Sequence, residues 1–231
     1  MAITINIENG ILIMGILIAC ASDKGGTGKT TIAHTLAVAA EKRGKSVCVV
    51  DADPMYLTQY WLKKRAEMHN TSIVLKTAMA GEDQRDAFAE LKKQFDITFV
   101  DCAGYDNPAM RSALLRADIA IVPTMPSQLD VLAYRYVANN LKPEFEKVNS
   151  AIKFRAVLTC AETLPSQFSE IIDIKDAVRG FGVDMAQNHL SRRKAFKRLF
   201  LKGGSCYESG DTKAIQEAEA LFDEIIVPHL I

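Results

Sequence analysis

Ser22-Asp23-Lys24-Gly25-Gly26-Thr27-Gly28-Lys29-Thr30-Thr31 brings together the residue types that bind phosphate. An apolar run ends at Cys20 just before it and a helical pattern starts near Thr30, so the glycines lie in a strand-to-helix turn. Such a turn points successive backbone N–H groups at phosphate oxygens, with the positive end of the helix dipole behind them. Lys29 is placed to contact β- and γ-phosphates, and the Thr30 hydroxyl to bind Mg²⁺. Gly25, Gly26, Thr27, Gly28 and Thr31 complete the candidate nucleotide-binding set. The pattern G-x-x-x-x-G-K-[ST] is broken once: Asp23 occupies the first glycine position, and a second lysine, Lys24, stands five residues before Lys29.

Two carboxylate clusters fit the same chemistry. Val49-Val50-Asp51-Ala52-Asp53-Pro54 and Thr98-Phe99-Val100-Asp101-Cys102-Ala103-Gly104 each put acids at the carboxyl end of an apolar run. In open α/β sheets ligands bind at the carboxyl ends of parallel strands, so these tips converge with the glycine loop on one crevice. Asp101 reads as the acid that holds Mg²⁺ through water, with Asp51 a further candidate ligand. Asp51 and Asp53 are candidates for orienting an attacking water and sensing the γ-phosphate. Taken singly, each acid also suits a helix N-cap or a turn.

The elements that must position these groups follow from hydrophobic periodicity. Apolar, Ile/Val-rich runs predict strands over Gly15–Cys20, Ser46–Asp51, Ser72–Lys76, Ile97–Asp101, Ile119–Pro123 and Lys153–Cys160. Several are apolar throughout, as strands covered on both faces must be. Helical period predicts helices over Thr31–Arg43, Tyr56–Asn70, Asp83–Gln94, Asn107–Leu115, Leu129–Val148 and Gln167–Arg179, with Pro143 kinking or splitting the fifth. A short basic helix is expected near Arg192–Leu201. A last helix from about Asp211 would carry Ile215, Ala218, Phe222, Ile225 and Ile226 on one face. The predicted fold is α/β: a doubly wound, mostly parallel sheet flanked by helices, in one domain over residues 14–231. Residues 1–13 read as an N-terminal extension, since Met14 is itself a plausible start.

Composition excludes several classes. The 231 residues are 48% hydrophobic and 24% charged, which excludes a disordered or fibrous chain. The five cysteines form no C-x-x-C and no zinc pattern, so they read as buried thiols in a reducing cytosol. The longest apolar run, Ile11 to Cys20, falls short of the roughly 20 residues needed to span a bilayer.

The glycine loop with both lysines, together with Asp51-Ala52-Asp53-Pro54, Asp101-Cys102-Ala103-Gly104 and Pro123-Thr124-Met125-Pro126-Ser127-Gln128-Leu129-Asp130, resembles the ParA/MinD family of deviant Walker ATPases. The short plasmid-partition members, which lack an N-terminal helix-turn-helix, are the nearest branch. The resemblance implies ATP and Mg²⁺ as ligands and a P-loop NTPase fold. It further implies that Asp53 is tied to hydrolysis and that Lys24 reaches across a nucleotide-sandwich homodimer to the partner's phosphates, making Lys24, Lys29 and Asp53 the catalytic set. A lysine supplied in trans can act as arginine fingers do elsewhere. Met55 stands where the family usually has glutamine, and Ser22 where asparagine is common.

For this branch the resemblance implies non-specific DNA binding by the ATP dimer, a small centromere-binding adaptor protein, a nucleoid-associated cytoplasmic location and a role in plasmid segregation. Two alternatives are an accessory ATPase of conjugation or T-DNA transfer, and a nucleotide-switched scaffold with negligible turnover. The candidate DNA surface is Arg192, Arg193, Lys194, Lys197, Arg198 and Lys202, six cations in eleven residues without an acid. On a helix they would neutralise phosphates without reading bases, although a merely solvated face fits the same pattern. The 28 basic and 28 acidic side chains sum to zero only because residues 207–231 carry six acids against one lysine. That acidic end argues against a membrane-binding C-terminal helix.

Overall fold

Strand after strand in the centre of this protein is buried on both faces, and the side chains alternate between two cores. The computed structural model describes residues 7–8, 11–12, 14–79, 81–198 and 200–230. The rest of the segment read as an extension, residues 1–6, 9, 10 and 13, lies outside the described residues. Within it, β1 (Ile7–Glu8) and β2 (Ile11–Leu12) pair antiparallel.

The main sheet is built from β3 (Ile16–Cys20), β4 (Val47–Ala52), β5 (Val74–Thr77), β6 (Ile97–Cys102), β7 (Ile119–Thr124), β8 (Lys153–Ala161), β9 (Asp184–Met185) and β10 (Leu190–Ser191). Its order is β10-β8-β7-β3-β6-β4-β5, with β9 also on β8, and its pairs are parallel. Parallel neighbours need crossovers. These are α1 (Lys29–Lys42), α2 (Leu57–Met68), α3 (Arg85–Gln94), α4 (Pro108–Arg116), α5 (Gln128–Tyr136), α6 (Lys142–Val148) and α7 (Phe168–Gly180); α8 (Thr212–Ile225) follows the last strand.

Period 2 sets the layers. Leu17 and Ala19 of β3, Val50 of β4 and Val100 of β6 join a core with Phe88, Met110, Leu114, Tyr134, Phe145 and Ile174 from α3 to α7. Their neighbours Ile18, Val49 and Phe99 join the opposite core with Ile32, Leu36, Trp61, Leu221 and Phe222 from α1, α2 and α8. The expected stripe of α8 is present: Ala218, Phe222, Ile225 and Ile226 are buried and Ile215 is partly so. The fifth expected helix runs as α5, a π-helical turn over Val137–Leu141, and α6. Pro143 opens α6 and has no N–H to give the preceding turn, so the helix widens there instead of breaking.

The expected basic helix over 192–201 does not form. The chain makes 3-10 turns at Lys194–Phe196 and Phe200–Lys202, and Leu199 lies outside the described residues. The cause is tertiary. Glu217 of α8 accepts from Ser191 N–H, Ser191 Oγ and Arg193 Nε, drawing the start of the segment onto α8. At the other end α2 and the residue after it capture the carbonyls of residues 201 to 204: Tyr60 Oη donates to Leu201 O, Arg65 to Gly203 O and Trp61 Nε1 to Gly204 O, while His69 Nε2 lies 3.1 Å from Lys202 O.

Candidate functional site

The glycine loop leaves the tip of β3, the central strand, and enters α1. Gly28 is the N-cap of α1 with φ +99°, a left-handed conformation that suits glycine, and no side chain caps this helix. The first-turn N–H groups are thus left for an anion. A Cβ on Gly28 would press on Thr159 of β8 at 3.1 Å. Thr159 in turn donates to Thr27 O at 2.7 Å and fixes the loop from the tip of β8, two strands over. On the other side Gly104 lies so close that a Cβ there would sit 2.9 Å from Gly25 Cα.

Register aligns the acids. Asp101 of β6 pairs with Cys20 of β3 and with Asp51 of β4, so both carboxylates stand at the tips beside the loop. Asp51 is fully buried; its oxygens accept from the N–H groups of Asp53 at 3.1 Å and Gln59 at 2.7 Å. Burial raises its pKa against those hydrogen bonds. Asp101 is also buried, and burial pushes its pKa to about 6 although the hydroxyls of Thr58 and Thr30 pull it down. Its Oδ2 accepts from Thr58 Oγ1 at 2.6 Å, while its buried Oδ1 has no hydrogen-bond partner among the described residues. Asp53 is half-buried, and its Oδ1 accepts from Met55 N–H at 2.9 Å. A buried carboxylate with one orphaned oxygen, beside a threonine hydroxyl and a second carboxylate, is an all-oxygen donor set that fits Mg²⁺.

The two lysines are placed differently. Lys29 is buried and donates to Lys24 O at 2.9 Å. Burial lowers its pKa, opposed chiefly by the charge of Asp101. Lys24 reaches away from the loop, with Nζ 2.5 Å from Asp130 Oδ1; its side chain is 40% exposed and that of Asp130 only 4%. Ser127 Oγ donates to the other carboxylate oxygen of Asp130 and accepts from its N–H at 3.1 Å.

Lys24, Gly25, Gly26, Thr27, Gly28, Lys29, Thr30, Thr31, Asp51, Asp53 and Asp101 are therefore gathered at the strand tips. Of the six cations of 192–202, two are engaged in ion pairs. Arg192 pairs with Glu162 at 2.9 Å, and Arg193, 20% exposed, with Glu217 at 2.8 Å. Lys194, Lys197, Arg198 and Lys202 are exposed and form no ion pair among the described residues. Sequence reasoning did not assign Asp130, Thr58, His34 or Thr159. Asp130 lies in a quoted motif without a role, and the other three carry no local signal.

Residues 18–205 match the model of the CobQ/CobB/MinD/ParA nucleotide binding domain. The chain is 24% identical over 215 residues to maintenance of carboxysome distribution protein A of Halothiobacillus neapolitanus, covering 90% of this chain and 95% of that protein. It is 25% identical over 213 residues to the protein ParA of Rhizobium radiobacter, covering 88% and 93%. In fold it is similar to the ATP complex of a Cyanothece McdA variant, with a TM-score of 0.70 at 15% identity over 91% of this chain and 96% of the other. Family model and strand-tip geometry agree: this chain belongs to the CobQ/CobB/MinD/ParA family of nucleotide-binding domains.

Proposed function

We propose that this protein is a Mg²⁺-dependent ATPase that closes into a homodimer around ATP, binds DNA without sequence preference, and segregates a plasmid or similar DNA cargo with a centromere-binding adaptor. The observation that carries the ATPase reading is Asp101, a buried carboxylate with an orphaned oxygen at the foot of an uncapped helix start. Thr30 and, through water, Asp101 would hold Mg²⁺, with Asp51 beside them, and the ion neutralises charge on the β- and γ-phosphates.

The chain's own groups do the rest by position. The N–H groups of the first turn of α1 take the phosphates, and Lys29 exchanges the Lys24 carbonyl for phosphate oxygens. Asp53 keeps one oxygen on the Met55 N–H, which leaves the second to orient the attacking water. Lys24 completes the charge neutralisation from the opposite subunit, so turnover requires the dimer. ATP then favours the dimer because the γ-phosphate makes those contacts only there. Lys194, Lys197, Arg198 and Lys202 are the free cations of the DNA-facing segment.

The test is ATPase activity and DNA retention measured side by side with ATP, with ADP and without nucleotide, for the wild type and Lys29→Ala. DNA retention that requires ATP, and loss of nucleotide binding in Lys29→Ala, are the expected results. Equal retention in all three nucleotide states would refute the switch.

A further inference from the structure

We infer that Thr58 and His34 are positioning residues for Asp101, holding one carboxylate oxygen from behind so that the other stays directed to Thr30 and the metal site. The inference rests on the ATPase reading above.

Thr58 lies in the first turn of α2 and is fully buried. Its Oγ1 donates to Asp101 Oδ2 at 2.6 Å, and His34 Nε2 of α1 lies 2.7 Å from that same Oγ1. A hydroxyl has one proton, and with Asp101 ionised that proton is committed to the carboxylate; the imidazole must then donate, as the Nε2–H tautomer. The ring is fixed in plane by stacking on Trp61, with centroids 3.9 Å apart at 10°, and Phe200 stacks near it at 5.8 Å. The result is a directed chain of donors, His34 to Thr58 to Asp101, that ends on Oδ2 alone and leaves Oδ1 unpartnered.

Spacing on α1 explains the arrangement. Thr30 and His34 are four residues apart and share a helix face. Thr30 supplies the hydroxyl on the metal side, and His34 reaches the rear of the same carboxylate through Thr58. A carboxylate so held cannot rotate to present both oxygens or turn toward Lys29, which is how partners behind a metal ligand set its affinity. Neither residue belongs to the glycine loop or to the D-x-D-P segment.

The experiment measures binding of a fluorescent ATP analogue in Mg²⁺ and in EDTA, together with the Mg²⁺ concentration that half-saturates ATP hydrolysis. Thr58→Val keeps the shape and removes the hydroxyl. It should raise the half-saturating Mg²⁺ by about 10-fold or more while leaving affinity in EDTA within about twofold. Thr58→Ser should stay within about threefold of wild type. His34→Phe keeps the stack and removes the donor, and should give a smaller shift in the same direction that His34→Gln reverses. A Thr58→Val protein with wild-type Mg²⁺ dependence, or one weakened equally in Mg²⁺ and EDTA, would overturn the assignment. If Thr58→Val does not fold, the His34→Phe and His34→Gln pair decides on the same criterion. A wild type whose nucleotide binding ignores Mg²⁺ would instead defeat the ATPase reading itself.

Discussion

Asp130→Asn should tighten the ATP-dependent dimer. For Lys24 to reach the phosphates of an opposing subunit it must leave Asp130, to which it is bound at 2.5 Å within its own chain. Departure strands a carboxylate that is 4% exposed, with Ser127 as its remaining hydrogen-bond partner. A hydrogen bond to a charged group contributes about 1.5–3 kcal/mol. Water on the lysine side, which is 40% exposed, reduces this to about 2 kcal/mol. Asparagine keeps the shape and the contact with Ser127 but removes the charge. The dimer should then form about 30-fold more readily per contact released, at 1.4 kcal/mol per tenfold. Sedimentation velocity over a concentration series with ATP gives the dissociation constant directly, in an Asp53→Ala background so that ATP persists. Lys24→Ala should lose the dimer whatever stands at 130. An Asp130→Asn protein that dimerises as the parent does, with unchanged melting temperature, would show that the Lys24–Asp130 contact does not oppose assembly.

Four other outcomes are expected. Asp53→Ala should retain nucleotide binding but lose at least about 100-fold in turnover, read as single-turnover phosphate release, because its carboxylate orients water rather than holding ATP. Replacing Lys194, Lys197, Arg198 and Lys202 with alanine should weaken retention on unrelated DNA sequences uniformly and flatten the salt dependence by up to about 0.9 logarithmic units per lost phosphate contact. Arg193→Ala should lower stability instead, since it leaves Glu217 without its guanidinium. Burial alone would raise the pKa of Glu208, but Arg65 and the Ser205 hydroxyl and N–H bring it down to about 2. A depressed carboxylate pKa stabilises the fold fully above its unfolded value near 4.5 and progressively less as pH falls toward 2. Denaturant midpoints should therefore drop by about 2–3 kcal/mol equivalent between pH 6 and pH 2 from this group, and Arg65→Leu should remove most of that dependence.

What could be read from the sequence was local and periodic. Val47–Ala52 and Ile97–Cys102 are largely apolar on positions of both parities, as doubly covered strands must be, and Asp51 and Asp101 near their carboxyl ends then stand at the tips. The glycine loop announced itself through the strand before it and the helix after it. The failure at 192–201 has a different origin. Its side chains have helical spacing, yet the segment is held at one end by Glu217 and at the other by three side chains of α2 and by His69 just after it, contacts that span 24 to 143 residues. Tertiary hydrogen bonds that fix the chain at Ser191 and Arg193 and again at residues 201 to 204 override the local helical preference of the stretch between them. The Lys24–Asp130 pair, 106 residues apart, was likewise invisible as a contact. His34 and Thr58 look like ordinary interior residues of amphipathic helices until β6 places Asp101 between them and the loop.

Helix α2 joins the strand-tip carboxylates to the turn at residues 201 to 204. Its twelve residues rise roughly 18 Å at 1.5 Å each. At its start Thr58 holds Asp101 and the Gln59 N–H holds Asp51, so the helix begins on the very carboxylates that face the phosphate site. Tyr60, Trp61 and Arg65 along its length, and His69 just past its end, meet the carbonyls of residues 201 to 204, the segment that bears Lys202 and follows Lys197 and Arg198. The fit at that end is close: a Cβ on Gly203, whose φ is +65°, would fall 2.1 Å from Arg65 N. Arg65, 1% exposed, is further locked by Glu208 at 3.1 Å and Glu41 at 3.5 Å. A helix anchored so firmly at the basic segment and so directly at the acids cannot shift at one end without carrying the other. The turn at residues 201 to 204 is thus held in place by contacts that start on the same helix as those to Asp51 and Asp101, rather than folded into a free helix of its own.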